Sequence, residues 1–135
     1  MLASPGLHSG SLVTKELLDA AVHKVVRIRT LFFTAHVHNY QRFTRTMDDQ
    51  QFTYIVAGAG GYWRHPMAEF MSAKVTPPFR QEDGPEVVLE NYVDDTHGFM
   101  RVEIENDLIV SFLGSKPSSS DEERLEPFFG HRLTP

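Results

Sequence analysis

The sequence predicts an α/β domain, with one main helix followed mostly by β-strands. Three observations carry that expectation. Leu17, Leu18, Ala21, Val22, Val25 and Val26 recur at helical spacing and give one apolar face. The period then switches to the continuous apolar run Leu31-Phe32-Phe33-Thr34, the pattern of a strand buried on both faces. Further along, residues 87–93, 99–105 and 108–113 read as strands. A helix that feeds a buried strand is the order in which α/β layers are built.

Taken in order, residues 1–10 are loop-like and rich in Gly, Pro and Ser. Ser11 or Thr14 can cap the helix, with Glu16 in its first turn, and the helix should stop near residues 27–30. The basic cluster from Lys24 to Arg29 suits the end of a helix, where cations complement the dipole. After the buried strand comes a loop, then a polar segment over residues 44–51. Residues 52–57 form the next strand, followed by Gly58-Ala59-Gly60-Gly61, a tight turn with close backbone approach. Residues 62–85 hold two proline sites and no clear period, as a functional rim or mobile loop does. Asn106-Asp107 sits at two-residue hairpin spacing. Phe99, Arg101, Glu103 and Glu105 alternate with Met100, Val102 and Ile104, which predicts one buried face. Residues 116–135 read as a polar tail whose late apolar patch, Leu125, Phe128 and Phe129, can dock back.

At 135 residues the chain is long enough for one small domain. Its 41% hydrophobic content, with ten Phe, four Tyr and one Trp, is that of a folded protein. A net charge of −5 argues against nucleic acid as a partner, which needs a concentrated basic surface. The chain has no cysteine, which rules out disulfides, thiolate metal sites and cysteine nucleophiles. No apolar run approaches the roughly 20 residues of a membrane span, and residues 1–10 lack a signal-peptide pattern. The expectation is therefore a cytoplasmic protein without a membrane partner.

The chemistry concentrates at His36-Val37-His38, where the buried strand ends. Side chains two apart on an extended chain point the same way, so both imidazoles could converge on one metal ion. Ligands of α/β sheets gather at such C-terminal strand ends. The spacing equally fits two histidines satisfied by backbone carbonyls. Asp95-Thr96-His97 has ligand spacing too but follows a polar segment, and is read as a turn. His65 has no supporting pattern. A mononuclear site using His36, His38 and one of His8, His65 or His97 is a further reading. There is no nucleophile elbow, phosphate loop or His-Glu-x-x-His motif.

His36-Val37-His38-Asn39-Tyr40-Gln41-Arg42 resembles the last metal-binding block of calcineurin-like metallophosphoesterases, in the form seen in purple acid phosphatase-like members. His8-Ser9-Gly10-Ser11 before a helix, Tyr54 through Gly61, and His97 through Ile104 are similar to neighbouring stretches of that family in the same order. The resemblance covers roughly residues 8–115. It implies the C-terminal part of a four-layer α/β/β/α sandwich, with residues 1–115 an incomplete segment of the domain. It also implies two divalent or trivalent ions (Fe, Zn or Mn) and a phosphate-ester substrate, attacked in line by a metal-held hydroxide. His36 would bind one ion and His38 the other, with His8, Asn39, Tyr40, Arg42, Gly58 and Gly60 as candidate lining residues.

The sequence departs from the family in two ways. Ala35 stands where a glycine is usual. The earlier blocks (Asp-x-His, Gly-Asp, Asn-His and a further His) do not precede residue 36. The chain alone should therefore hold metal weakly or not at all, show little turnover, and expose sheet surface through which it can self-associate. The alternative expectation is a non-catalytic scaffold or interaction module that retains part of the fold.

Overall fold

The computed structural model describes residues 11–24, 30–67, 69–70, 73–81, 84–105 and 107–125. Helix α1 spans Leu12–His23 and opens on Ser11, whose Oγ accepts the Thr14 N–H at 3.3 Å. Val22 is buried, whereas Val13 and Leu17, one turn apart on the same stripe, are exposed. The expected apolar face is thus covered only in part. Val25 and Val26, like the end of the basic cluster, lie outside the described residues.

The remaining elements are strands: β1 (Leu31–Thr34), β2 (Tyr40–Met47), β3 (Gln50–Ala57), β4 (Glu69–Phe70), β5 (Ala73–Lys74), β6 (Phe79–Gln81), β7 (Gly84–Val93), β8 (Gly98–Ile104), β9 (Leu108–Gly114) and β10 (Ser120–Leu125). They form a five-stranded sheet in the order β1-β3-β2-β7-β6, a three-stranded sheet β10-β9-β8, and the small pair β4-β5. β1 pairs with β3 in parallel, and the other pairings are antiparallel. This corrects the expected fold class. The described residues are mostly β-strand with a single short helix, not an α/β four-layer sandwich with alternating helices.

Three segments account for the difference. The stretch read as a polar connection is the second half of β2 and its turn into β3. Asp48 and Asp49 both have positive φ (48° and 61°), as a two-residue primed hairpin turn requires. The stretch read as an irregular rim contributes three short strands, and the polar tail contributes β10 (Phe128 and Phe129 lie outside the described residues). The strand β1, expected to be buried on both faces, is an edge strand with Phe33 exposed. Asp49→Gly should stabilise the fold by about 0.5 kcal/mol, because glycine adopts the left-handed conformation without the Cβ penalty. Urea denaturation checks this, and a loss of stability would show that the aspartate side chain holds the turn.

The core has two parts, one on each face of the five-stranded sheet. On one face Phe43, Phe52, Tyr54 and Leu89 meet Val22 of α1 and Met67 and Val75 of the connecting segment. Phe32 stacks on Tyr54 there, with centroids 4.4 Å apart. The helix is also tied down by Arg45, which forks onto both carboxylate oxygens of Asp19. That Arg45 hydrogen bond is the main reason the Asp19 carboxyl falls to about 2, so its contribution persists above ordinary carboxylate pH and fades as pH drops through that value. On the other face Tyr40, Ile55 and Val93 pack against Leu108, Val110 and Phe112 of the three-stranded sheet. Tyr40 and Phe112 stack at 4.3 Å. The result is a sheet-on-sheet sandwich with α1 on its outer face.

Candidate functional site

The parallel pairing of β1 with β3 decides where the histidine loop lies. β1 and β3 end on the same side, and β2 begins there too, because Tyr40 pairs with Ala57 of β3 and Val93 of β7. The chain leaving β1 must reach β2 on the far side of β3, so residues 35–39 arch over the end of β3. The chain leaving β3 passes directly against that arch. A Cβ on Gly58 would overlap the Val37 carbonyl oxygen and come 2.8 Å from its carbon, so only glycine fits without displacement. Gly58 N–H donates to Asn39 O at 3.0 Å, closing the contact. Gly60 is exposed and meets nothing within 4 Å.

Within this arch the backbone is no longer extended. β1 ends at Thr34, residues 36–39 bend, and His36 has φ 80°. The alternation that would aim His36 and His38 the same way therefore does not apply. His36 is exposed, and His38 is half-buried. The imidazole that His38 meets is His65: the two rings stack with centroids 4.5 Å apart and 4° between their planes. Tyr62 closes on His38 edge-on at 5.9 Å. His65 Nδ1 accepts the His38 backbone N–H at 3.1 Å, and His65 N–H donates to His38 O at 3.0 Å. Parallel stacked imidazoles carry their lone pairs in parallel planes, so this pair does not converge on one ion. His38 Nδ1 is buried without a hydrogen-bond partner.

Asn39 is buried and serves the same clamp. Its Nδ2 donates to His65 O at 2.9 Å, and its Oδ1 accepts from Gln41 Nε2 at 2.8 Å. Tyr40 and Arg42 direct their polar groups elsewhere. Tyr40 OH donates to Asp121 at 2.6 Å, while Arg42 donates to Asp121 at 2.7 Å and to Glu123 at 2.5 Å. Both residues thus fasten β2 to β10 between the sheets. His8 lies outside the described residues.

The turn between β7 and β8 joins the same end of the sheet. Gly98 N–H donates to Ala59 O, Arg64 donates to Asp95 O, and Met67 N–H donates to Asp94 at 2.9 Å. Asp95-Thr96-His97 is a turn, as expected. The Asp95 carboxylate is engaged by Lys116 at 2.8 Å, and that hydrogen bond holds its carboxyl below the ordinary carboxylate range. His97 is exposed. Among the described residues no group of three or more His, Asp or Glu is disposed to hold a metal ion. The complete two-ion centre implied by the resemblance therefore does not fit the residues described. The sequence offers His65 only as one of three possible third ligands; it lies 27 residues from His38 and follows no ligand spacing, and only the tertiary contact reveals its stacking on His38.

No family model, curated protein or solved structure matches the chain. No helix among the described residues is long and apolar enough to cross a membrane.

Proposed function

We propose that the chain supplies one histidine loop, His36 and His38, to a metal-dependent phosphate-ester hydrolase whose other ligands come from outside the described residues. The observation that supports this reading is the state of His38. Its ring is fixed by stacking on His65 and by the edge of Tyr62, yet a buried ring nitrogen has no partner. An imidazole held by packing and left polar-unsatisfied is suited to completion by a ligand or by a further hydrogen-bond acceptor. The family resemblance adds the chemical class, phosphate-ester hydrolysis. Nothing in the loop itself distinguishes Fe, Zn or Mn.

The test is a Zn²⁺ titration of the chain followed by the histidine ring resonances, beside an aryl-phosphate assay. Weak binding should shift His36 and His38, vanish in His36→Ala and His38→Ala, and bring little or no turnover. Resonances that stay put at both histidines would sink the metal reading. Robust hydrolysis abolished by His36→Ala would show that the chain is self-sufficient. A second reading, a non-catalytic interaction module, is favoured by the exposed apolar side chains. It takes over if the chain is stably folded and indifferent to metal.

A further inference from the structure

We infer that β8 is a self-pairing edge, through which two copies of this chain join antiparallel to continue the three-stranded sheet into one of six strands. β8 is the outermost strand of the order β10-β9-β8. Its register with β9 runs without a shift from Gly98↔Gly114 to Ile104↔Leu108, so seven residues present a straight, unbulged edge. It has no proline and no lysine, and past Gly98, whose N–H donates to Ala59 O, no strand among the described residues pairs with its outer side. Those are the devices by which natural sheets keep edges from joining.

The side chains on this edge are arranged for a second copy. Met100, Val102 and Ile104 lie opposite Phe112, Val110 and Leu108 and therefore face the sandwich interior. Yet Val102 is 41% and Ile104 57% exposed, because the inner face continues past the cover that Tyr40, Ile55 and Val93 provide. Phe99, on the outer face, is 64% exposed. Between these apolar positions stand Arg101 and Glu103, exposed and paired with each other at 3.1 Å.

Place a two-fold axis at Val102 and pair β8 with itself antiparallel. Val102 then faces Val102 of the second copy, and each Met100 faces an Ile104. Each Arg101 faces a Glu103, so both charges meet their opposites twice. Such isologous pairing satisfies the open backbone edge and extends the apolar stripe across the seam. The other long edge lacks this property. β10 carries Asp121, Glu122 and Glu123 in succession, so self-pairing about its centre sets acid against acid. β1 and β6, with four and three residues, are too short.

Sedimentation equilibrium on the full chain across a concentration series tests the proposal, and it requires no metal, so its outcome is independent of the function proposed above. The parent should pass from the 15.4 kDa monomer to twice that mass and stop there. Arg101→Glu and Glu103→Arg should each raise the dimer dissociation constant about tenfold by setting like charges opposite one another. The double exchange, which restores opposite charges in reversed order, should return it close to the parent value. Both side chains are exposed, so far-UV circular dichroism of every variant should match the parent. A parent that stays monomeric overturns the proposal. So do single variants that dimerise like the parent, a double exchange that fails to recover, or growth beyond the dimer.

Discussion

Arg42→Ala is expected to cost about 3 kcal/mol of folding stability, near the lower end of the range for breaking a buried ion pair. The Arg42 and Asp121 side chains are 13% and 9% exposed, so alanine leaves Asp121 with a carboxylate in a largely dry seam and Glu123 without its cation. Tyr40 OH, which donates to the same carboxylate, cannot neutralise it. The pH dependence should weaken. In the parent, burial pushes the Asp121 carboxyl up, but the hydrogen bonds from Arg42 and Tyr40 hold it below the ordinary range. A lowered folded value means that stability is fully present above the unfolded value of about 3.9 and is lost as pH falls through the folded one. Tyr40 moves the opposite way. Burial, then its bond to Asp121, raises its phenol, so its contribution holds below about pH 10 and is lost only in stronger base. In Arg42→Ala only the hydrogen bonds from Tyr40 and Asn91 still oppose burial, so the Asp121 carboxyl rises. The variant should therefore lose less stability than the parent as pH falls. Urea denaturation between neutrality and pH 4 should therefore show the gap to the parent narrowing as the solution is acidified. A gap that is small at pH 7, or that widens in acid, would mean that β10 is not held through Arg42.

Gly58→Ala should cost about 3 kcal/mol and displace the histidine arch, whereas Gly60→Ala, three residues into the same turn-rich stretch, should be close to neutral. The atoms in the way at Gly58 are the Val37 carbonyl oxygen and carbon, which belong to backbone and have no rotamer in which to retreat. Moving them moves His38, whose amide and carbonyl are both bonded to His65. The expected result is a lower urea midpoint together with shifted ring resonances of His38 and His65, which is the signature of a moved arch. If Gly58→Ala unfolds like the parent and leaves both rings unchanged, the arch does not cross β3 where described.

These two residues also show what local sequence reveals and what it hides. The glycine-rich turn after β3 and the places of β7, β8 and β9 are legible, though β7 begins at Gly84, three residues earlier than expected, because alternation and turn residues act within a few positions. The strand β2 is not. Its Arg42 and Arg45 make it read as a polar connection, and the acids that pair with them, Asp121, Glu123 and Asp19, lie far away in the chain. Only Asp48-Asp49 hinted locally at a hairpin. Ser-Asp-Glu-Glu-Arg-Leu reads as a solvated tail for the same reason, since Asp121 and Glu123 turn inward only because Arg42 is there to meet them. With β2, β10 and the short strands β4 to β6 hidden and one helix overweighted, an α/β reading followed. At the candidate site the sequence located the loop through His36 and His38. Their expected convergence failed because it rested on an extended backbone that ends at Thr34, and no periodicity announces His65.

The arch over β3 also fixes an order of assembly. Among the described residues β1 has nothing to pair with until residues 50–57 exist, because its one neighbour there is β3. The β2–β3 hairpin, by contrast, closes across two residues and can form by itself. On a chain emerging from a ribosome, β1 must therefore wait for β3, and the histidine arch takes its final course only when β1 docks. The histidine arch is thus among the parts of this sheet that are finished late, although its residues are synthesised before those of β3.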